Sequence, residues 1–263
     1  MTDKTKPPQE CNPRHGWMGW WPGWAALFDP ENGRIRTFLT EQATGLKNDA
    51  QLLDASAGRR PYAALFNRQQ YESCDVPGGF YKERHDFECP LDEIPKPDGH
   101  YDAVVLTQVL EHVPHPEAVL REIHRVLRPG GRLLISVPLN GPLHGEPWHF
   151  FHFTHYGLAE LAQTTGFEIA HMEKVGGVFW FLGKHGQDIP RRIMKSVDPA
   201  RAKKRGQSIV FCVVATLLFL PFWLVSLTVL TGVVRPACYW LDRLDIQKTL
   251  TLGYTTVFQK PEA

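Results

Sequence analysis

A chain of 263 residues is long enough for one sizeable α/β core with appendages, and its 29 Lys and Arg against 28 Asp and Glu give no electrostatic ground for a nucleic-acid partner. Five cysteines, Cys11, Cys74, Cys89, Cys212 and Cys238, are odd in number and form no C-x-x-C pair, so neither a disulfide framework nor a thiolate zinc site is indicated. A reducing, cytosolic environment fits that usage.

Residues 1–16 are polar and Pro-rich, without the apolar core of a signal peptide, and read as disordered. Trp17, Trp20, Trp21 and Trp24 then crowd into eight positions and need a surface to bury against. A cap packed on the domain or on the later apolar insertion is the plain reading; a membrane-interface belt or a substrate cover are the sharper ones. A helix is expected over Arg34–Leu46, then a strand at Gln51–Ala55, a short helix at Tyr62–Asn67, a second strand at Tyr71–Asp75 and a third at His85–Cys89. Asp102–Leu106 is an apolar, β-branched run of the kind buried on both faces of a parallel sheet. A helical stripe of Ala118, Val119, Ile123, Val126 and Leu127 follows over Pro116–Leu127 and stops at Pro129, Gly130 and Gly131. Arg132–Pro138 is the next strand. Thr154 is placed to cap a helix over His155–Thr165, and strands are expected at Phe167–Val175 and Gly253–Gln259. Strands alternating with helices at this spacing mean a doubly wound parallel α/β sheet.

Before the last strand, Ile209–Val234 runs 26 residues without a charge, and Lys184–Arg205 ahead of it carries eight Lys and Arg against Asp188 and Asp198. Hydropathy alone says transmembrane helix. If Gly253–Gln259 belongs to the same sheet, however, both ends of the segment stay on one side of a bilayer. Pro221 divides the run into arms of about 18–20 Å, too short for a hydrocarbon core of about 30 Å. The expectation is therefore an apolar helical hairpin dipping into one leaflet at the cytoplasmic face, its basic stretch on anionic headgroups. The alternatives are a full span, or burial against the Trp-rich segment or a second subunit. This divides the chain into an N-terminal extension (1–30), a catalytic domain (31–183 with 250–263) and a basic, hydrophobic insertion (184–249).

The run YDAVVLTQVLEHVPHPEAVLREIHRVLRPGGRLLISVP at 101–138 resembles the class I S-adenosylmethionine-dependent methyltransferases, specifically the type 11 methyltransferase domain, in its Leu-Glu-His-Val and Arg-Val-Leu-x-Pro-Gly-Gly elements. The resemblance implies a Rossmann-like seven-stranded sheet whose last strand inserts antiparallel beside the fifth, and S-adenosyl-L-methionine as cofactor. It places the cofactor's amino-acid part on the loop carrying Asp54, Ser56 and Gly58, its ribose on Asp75, its adenine near Leu91 and its methionine portion along Thr107 and Gln108. The loop departs from the family pattern, which usually has Gly at Ser56 and often near Arg60. Pro90 stands where the family commonly has an adenine-binding Asp, for which Glu88, Asp92 or backbone around Leu91 would have to serve. A nicotinamide dinucleotide fold would want G-x-G-x-x-G, of which one Gly is present.

Methyl transfer from a sulfonium is an in-line displacement governed by positioning, with a base needed only when the acceptor loses a proton. By analogy Glu111 and His112 are placed for that, or for capping the loop and packing under the cofactor. His152 and His149 belong to an aromatic stretch that lies over the acceptor pocket in the resembling family. No metal site is expected, because His149, His152 and His155 would converge only on a helix and Pro147 argues for an extended loop. The function expected is methyl transfer to a small-molecule or lipid- or glycan-linked acceptor at a membrane surface. The alternative is a catalytically inactive, membrane-tethered binding or scaffold protein of the same fold.

Overall fold

The computed structural model describes residues 30–79, 81, 83–186, 188–202 and 206–262, so the expectations for residues 1–29, the Trp cluster included, lie outside it. The chain divides into two compact units. The first holds residues 32–175 and 252–263 and contains one seven-stranded sheet.

Its elements are α1 (Pro30–Gly45), β1 (Gln51–Ala55), a 3-10 turn at Ala63–Phe66, β2 (Gln70–Asp75), β3 (Phe87–Glu88), β4 (Tyr101–Thr107), a 3-10 turn at Leu110–His112, α2 (Pro116–Val126), β5 (Leu127–Pro138), α3 (His155–Thr164), β6 (Glu168–Val175) and β7 (Gly253–Gln259). Strand order is β3-β2-β1-β4-β5-β7-β6; β7 runs antiparallel to both neighbours and the other pairings are parallel. The expected fold class is therefore the observed one. Successive strand residues face opposite ways and divide the core. Leu53, Val104 and Leu133 join Val119, Leu120, Ile123 and Val126 of α2 on one face. Leu52, Val105 and Leu134 meet Ile35, Phe38 and Leu39 of α1 on the other.

Several boundaries shift from expectation by one to five residues, and two of the shifts have local causes. β3 is only Phe87–Glu88, because the Asp86 carboxylate accepts from the Ser73 amide at 2.8 Å and its hydroxyl at 2.9 Å, capping the edge with a side chain. β5 begins at Leu127 rather than Arg132. Leu127 already pairs with Tyr101, and Pro129-Gly130-Gly131 is an irregularity inside the strand, with Gly130 at φ +73°.

The second unit takes in residues 176–251: α4 (Val178–His185), α5 (Asp188–Ser196), the single turn α6 (Pro199–Ala202), α7 (Ile209–Val229), a π-helical turn at Leu230–Val234, α8 (Arg235–Leu241) and a 3-10 turn at Asp242–Leu244. The expected break at Pro221 does not form. One helical run of 36 residues passes from Ile209 to Leu244, about 54 Å at 1.5 Å per residue. Proline forfeits its own amide bond and crowds the preceding turn, but a chain this apolar gains little by exposing the freed carbonyl, and the helix continues. The hairpin is made differently. α4 packs on α8, and α5 and α6 on α7, so the outward arm is a string of short helices and the return arm is the continuous one. Asp242 fixes the base of the pair by accepting from the amides of Gly177 at 2.9 Å and Trp180 at 3.1 Å, while Asp245 accepts from Val178 at 2.7 Å. Two carboxylates thus cap the N-terminus of α4.

Candidate functional site

In an open α/β sheet, ligands sit beyond the carboxyl ends of the strands where the order reverses, here between β1 and β4. Strained backbone gathers at those ends. Ser56, Gly58 and Arg60 after β1 and Gln108 after β4 all have positive φ, between +52° and +57°. The family resembled usually has glycine at Ser56 and often near Arg60, and this loop holds the left-handed conformation at both positions without the residue that adopts it freely. Ser56→Gly relieves about 1 kcal/mol of that strain but forfeits a hydrogen bond from the Ser56 hydroxyl to Asp75 worth about as much, so the midpoint in urea is expected to stay close to that of wild type.

The loop is held by the next strand. Asp75 at the end of β2 accepts from the Gly58 amide at 3.0 Å, the Ser56 hydroxyl at 3.2 Å and the Val76 amide at 2.8 Å. Gly58 has no room for a side chain, since a Cβ would lie 3.0 Å from the Tyr81 ring. Among the described residues only the Gly58 amide donates to Oδ2 of Asp75, so acceptor capacity is left for a ribose hydroxyl. Asp54, 3% exposed, accepts from the Tyr71 hydroxyl at 2.7 Å. Burial, reinforced by the nearby Asp75 charge, raises its pKa to about 6 against the lowering effect of Tyr71. Leu91 packs half-buried on the core, and Thr107 pairs with Ser136, whose carbonyl takes the Gln108 amide at 2.9 Å. Sequence reasoning missed His85. Its ring is buried 3.8 Å from Asp75 Oδ2, and neither ring nitrogen has a hydrogen-bond partner among the described residues. Lying before a two-residue strand with no motif around it, it gave no signal.

A second group forms where the loop after β5 folds over the 3-10 turn after β4. The amides of Phe150 and Phe151 donate to the Glu111 carbonyl at 2.8 and 3.3 Å, and His112 Nδ1 meets the Trp148 carbonyl. Gly145, at φ +63°, lets the loop lie on the His112 ring; a Cβ there would stand 3.2 Å from His112 Cε1. His112, His144 and His149 stack edge to face with centroids 4.5–5.3 Å apart, and His152 is 4.8 Å from His149. Burial holds His112 below the usual imidazole range, and its histidine neighbours push the same way. The Glu111 side chain is fully buried beneath them. His149, His152 and His155 do not converge: residues 151–154 are irregular and His155 opens α3, its Nδ1 at 3.3 Å from the Tyr254 hydroxyl. His112, from a different strand end, takes the place that sequence spacing could not supply. Trp148, Phe150 and Phe151 rim this group with exposed rings.

A doubly wound sheet closed by an antiparallel β7, with a turn after β1 tied to an acid after β2, defines a class I methyltransferase fold. The profile of a family described as "Methyltransferase domain" matches residues 28–172, more than half of the chain. The chain belongs to this family, the class I S-adenosylmethionine-dependent methyltransferases, whose methyl donor is S-adenosyl-L-methionine. Among curated proteins it is 30% identical to the ubiquinone/menaquinone biosynthesis C-methyltransferase UbiE of Pseudomonas putida, over 41% of this chain and 50% of that one. It is 38% identical to a probable S-adenosylmethionine-dependent methyltransferase of Mycolicibacterium smegmatis, over 38% and 42%. The chain thus spans about half the length of the curated relatives it matches. In fold it is similar to a putative sarcosine dimethylglycine methyltransferase from Galdieria sulphuraria (TM-score 0.51, 16% identity, covering 89% and 91%). It is equally similar to the [4+2]-cyclase SpnF (TM-score 0.51, 19% identity, covering 88% and 82%), so the fold by itself does not dictate the reaction.

Proposed function

We propose that this chain transfers a methyl group from S-adenosyl-L-methionine to an apolar small-molecule or lipid-linked acceptor at the cytoplasmic face of a membrane. The observation that carries the cofactor half is the Asp75 carboxylate joined to Gly58 and Ser56. In this reading Asp54, Ser56, Gly58, Asp75, Leu91, Thr107 and Gln108 hold the cofactor, with His85 added beside Asp75. When bound, the cofactor supplies an electrophilic methyl on a sulfonium; the chain has to position the acceptor and exclude water. Glu111, His112 and His152 border the acceptor side, and the exposed rings of Trp148, Phe150 and Phe151 suit an apolar ligand. The curated relative named for ubiquinone and menaquinone biosynthesis supports an amphipathic acceptor of that kind. Its test is transfer of labelled methyl from the cofactor into a membrane extract; saturable cofactor binding without labelling of any component would sink the acceptor half.

The membrane half rests on the run Ile209–Leu244, whose Val210, Leu218 and Phe222 are each more than 70% exposed. Val175 and Leu252 adjoin, the Leu252 amide donating to the Val175 carbonyl at 3.1 Å, so the insertion leaves and rejoins the sheet at one point. α5, which packs along α7, carries Arg191, Arg192 and Lys195. A crossing by α7 would take those cations through hydrocarbon, at a cost of about 2.5–3.5 kcal/mol each at mid-bilayer. An arm lying in the interface, with the cations at the headgroups, avoids this. The expected result is partition into the membrane fraction that high-salt washing does not reverse and detergent does; recovery in the salt wash would leave only surface charge as the attachment.

The second reading is a membrane-tethered binding protein without catalysis. Pro90 in place of the adenine-binding acid and the strained Ser56 and Arg60 favour it. Calorimetric titration with the cofactor separates the two.

A further inference from the structure

Of the three imidazoles gathered where the loop after β5 meets His112, two have a protonation pattern fixed by the backbone around them. His112 Nδ1 faces the carbonyl of Trp148, which can only accept, so the neutral ring carries its proton there and its lone pair on Nε2. His144 Nδ1 lies 3.3 Å from the Pro142 carbonyl, with the same consequence. The two Nε2 atoms are 3.1 Å apart, and with both rings so arranged lone pair faces lone pair. His149 Nδ1 lies 3.2 Å from both the His144 amide, which donates to it, and the His144 carbonyl, so this ring can carry its proton on either nitrogen; its Nε2 is buried with no hydrogen-bond partner among the described residues. Oε1 of the buried Glu111 lies 4.0 Å from Nε2 of both His112 and His144. Three nitrogens and a carboxylate thus converge on a point that wants a cation.

We propose that His112, His144 and His149, with Glu111 behind them, form a binding site for a divalent first-row transition ion such as zinc. One ring nitrogen from each histidine lies within 4.8 Å of the other two. Ligands about 2.0–2.1 Å from a tetrahedral zinc stand roughly 3.4 Å apart, a difference that small changes in the side-chain torsions of the loop histidines close. His112 and His144 each direct their other nitrogen at a backbone carbonyl, the arrangement that fixes tautomer and orientation in metal-bound histidines. Imidazole donors select zinc, copper, nickel or cobalt over magnesium and calcium, which prefer oxygen. The inference concerns metal binding alone and stands whether or not the chain transfers methyl groups.

The test uses the full chain, stripped with EDTA, dialysed and titrated with zinc chloride against a chromophoric chelator, with cobalt chloride in a parallel titration. One equivalent of zinc is expected, and cobalt should develop ligand-field bands in the visible. His144→Ala and His149→Ala are each expected to weaken zinc binding by about 100-fold or more, whereas His155→Ala, outside the cluster, should leave it unchanged. The His144 side chain is 49% exposed, so its removal leaves the fold intact and a thermal melt checks this. Failure of the stripped wild-type chain to take up zinc, or zinc affinity indifferent to His144→Ala, overturns the proposal.

Discussion

Asp75→Ala is expected to weaken binding of S-adenosyl-L-methionine by about 100-fold or more, because the ribose contact and the support of the loop are lost together. Hydrogen bonds to a charged group are worth about 1.5–3 kcal/mol each, and 1.4 kcal/mol is tenfold in affinity. In the unliganded chain the same carboxylate holds the Ser56 hydroxyl and the Gly58 and Val76 amides. Alanine therefore removes the ribose acceptor and releases a loop that two strained non-glycine residues, Ser56 and Arg60, already disfavour. Asp75→Asn separates the two effects. The amide oxygen can still accept from one loop donor, so the loop is partly retained, while the charge that strengthens the ribose contact is lost. Calorimetric titration should rank wild type tightest, Asn intermediate and Ala weakest. Equal affinity in wild type and Ala would remove Asp75 from the site and, with it, the placement of the cofactor at these strand ends.

The sheet was legible because its signals are local and mutually consistent. β1, β4 and α2 each carry their own apolar pattern, and 101–138 joins strand, helix and strand with short turns. Gly253–Gln259 alternates like a strand, and it pairs on both sides with antiparallel partners. Ser56, Gly58 and Asp75 could be selected one by one, but their mutual hydrogen bonds depend on β1 and β2 lying side by side. The histidine cluster was illegible for the same reason in stronger form. Spacing along the chain points to His149, His152 and His155, whereas the rings that meet are His112 and two residues from the far side of β5. The course of α7 escaped because a proline's effect depends on what the helix gains by breaking. In a run with no polar alternative for the freed carbonyl, that gain is small.

Asp54→Asn is expected to make the unliganded chain more stable at pH 7, by up to about 3 kcal/mol, and to weaken cofactor binding at the same time. The folded-state pKa of Asp54 is raised from 3.8 to about 6, burial being the main cause and the Asp75 charge an addition. Between those two values the native chain holds a proton that the unfolded chain has released, so stability falls as pH climbs through the window. Above about 6 the full penalty is present, about 1.4 kcal/mol for each unit of displacement. Asparagine carries no charge to desolvate and keeps an oxygen for the Tyr71 hydroxyl, now 2.7 Å from Asp54. Urea unfolding between pH 4 and 7 should therefore show wild-type stability decreasing across the window relative to the variant. A destabilising acid is retained where its charge has a use. Next to Asp75, Asp54 offers a second negative charge to a ligand that carries both an ammonium and a sulfonium, and the variant is expected to bind that ligand at least about tenfold more weakly. If Asp54→Asn were stabilised but bound the cofactor as well as wild type, the buried charge would have to be explained by the fold alone.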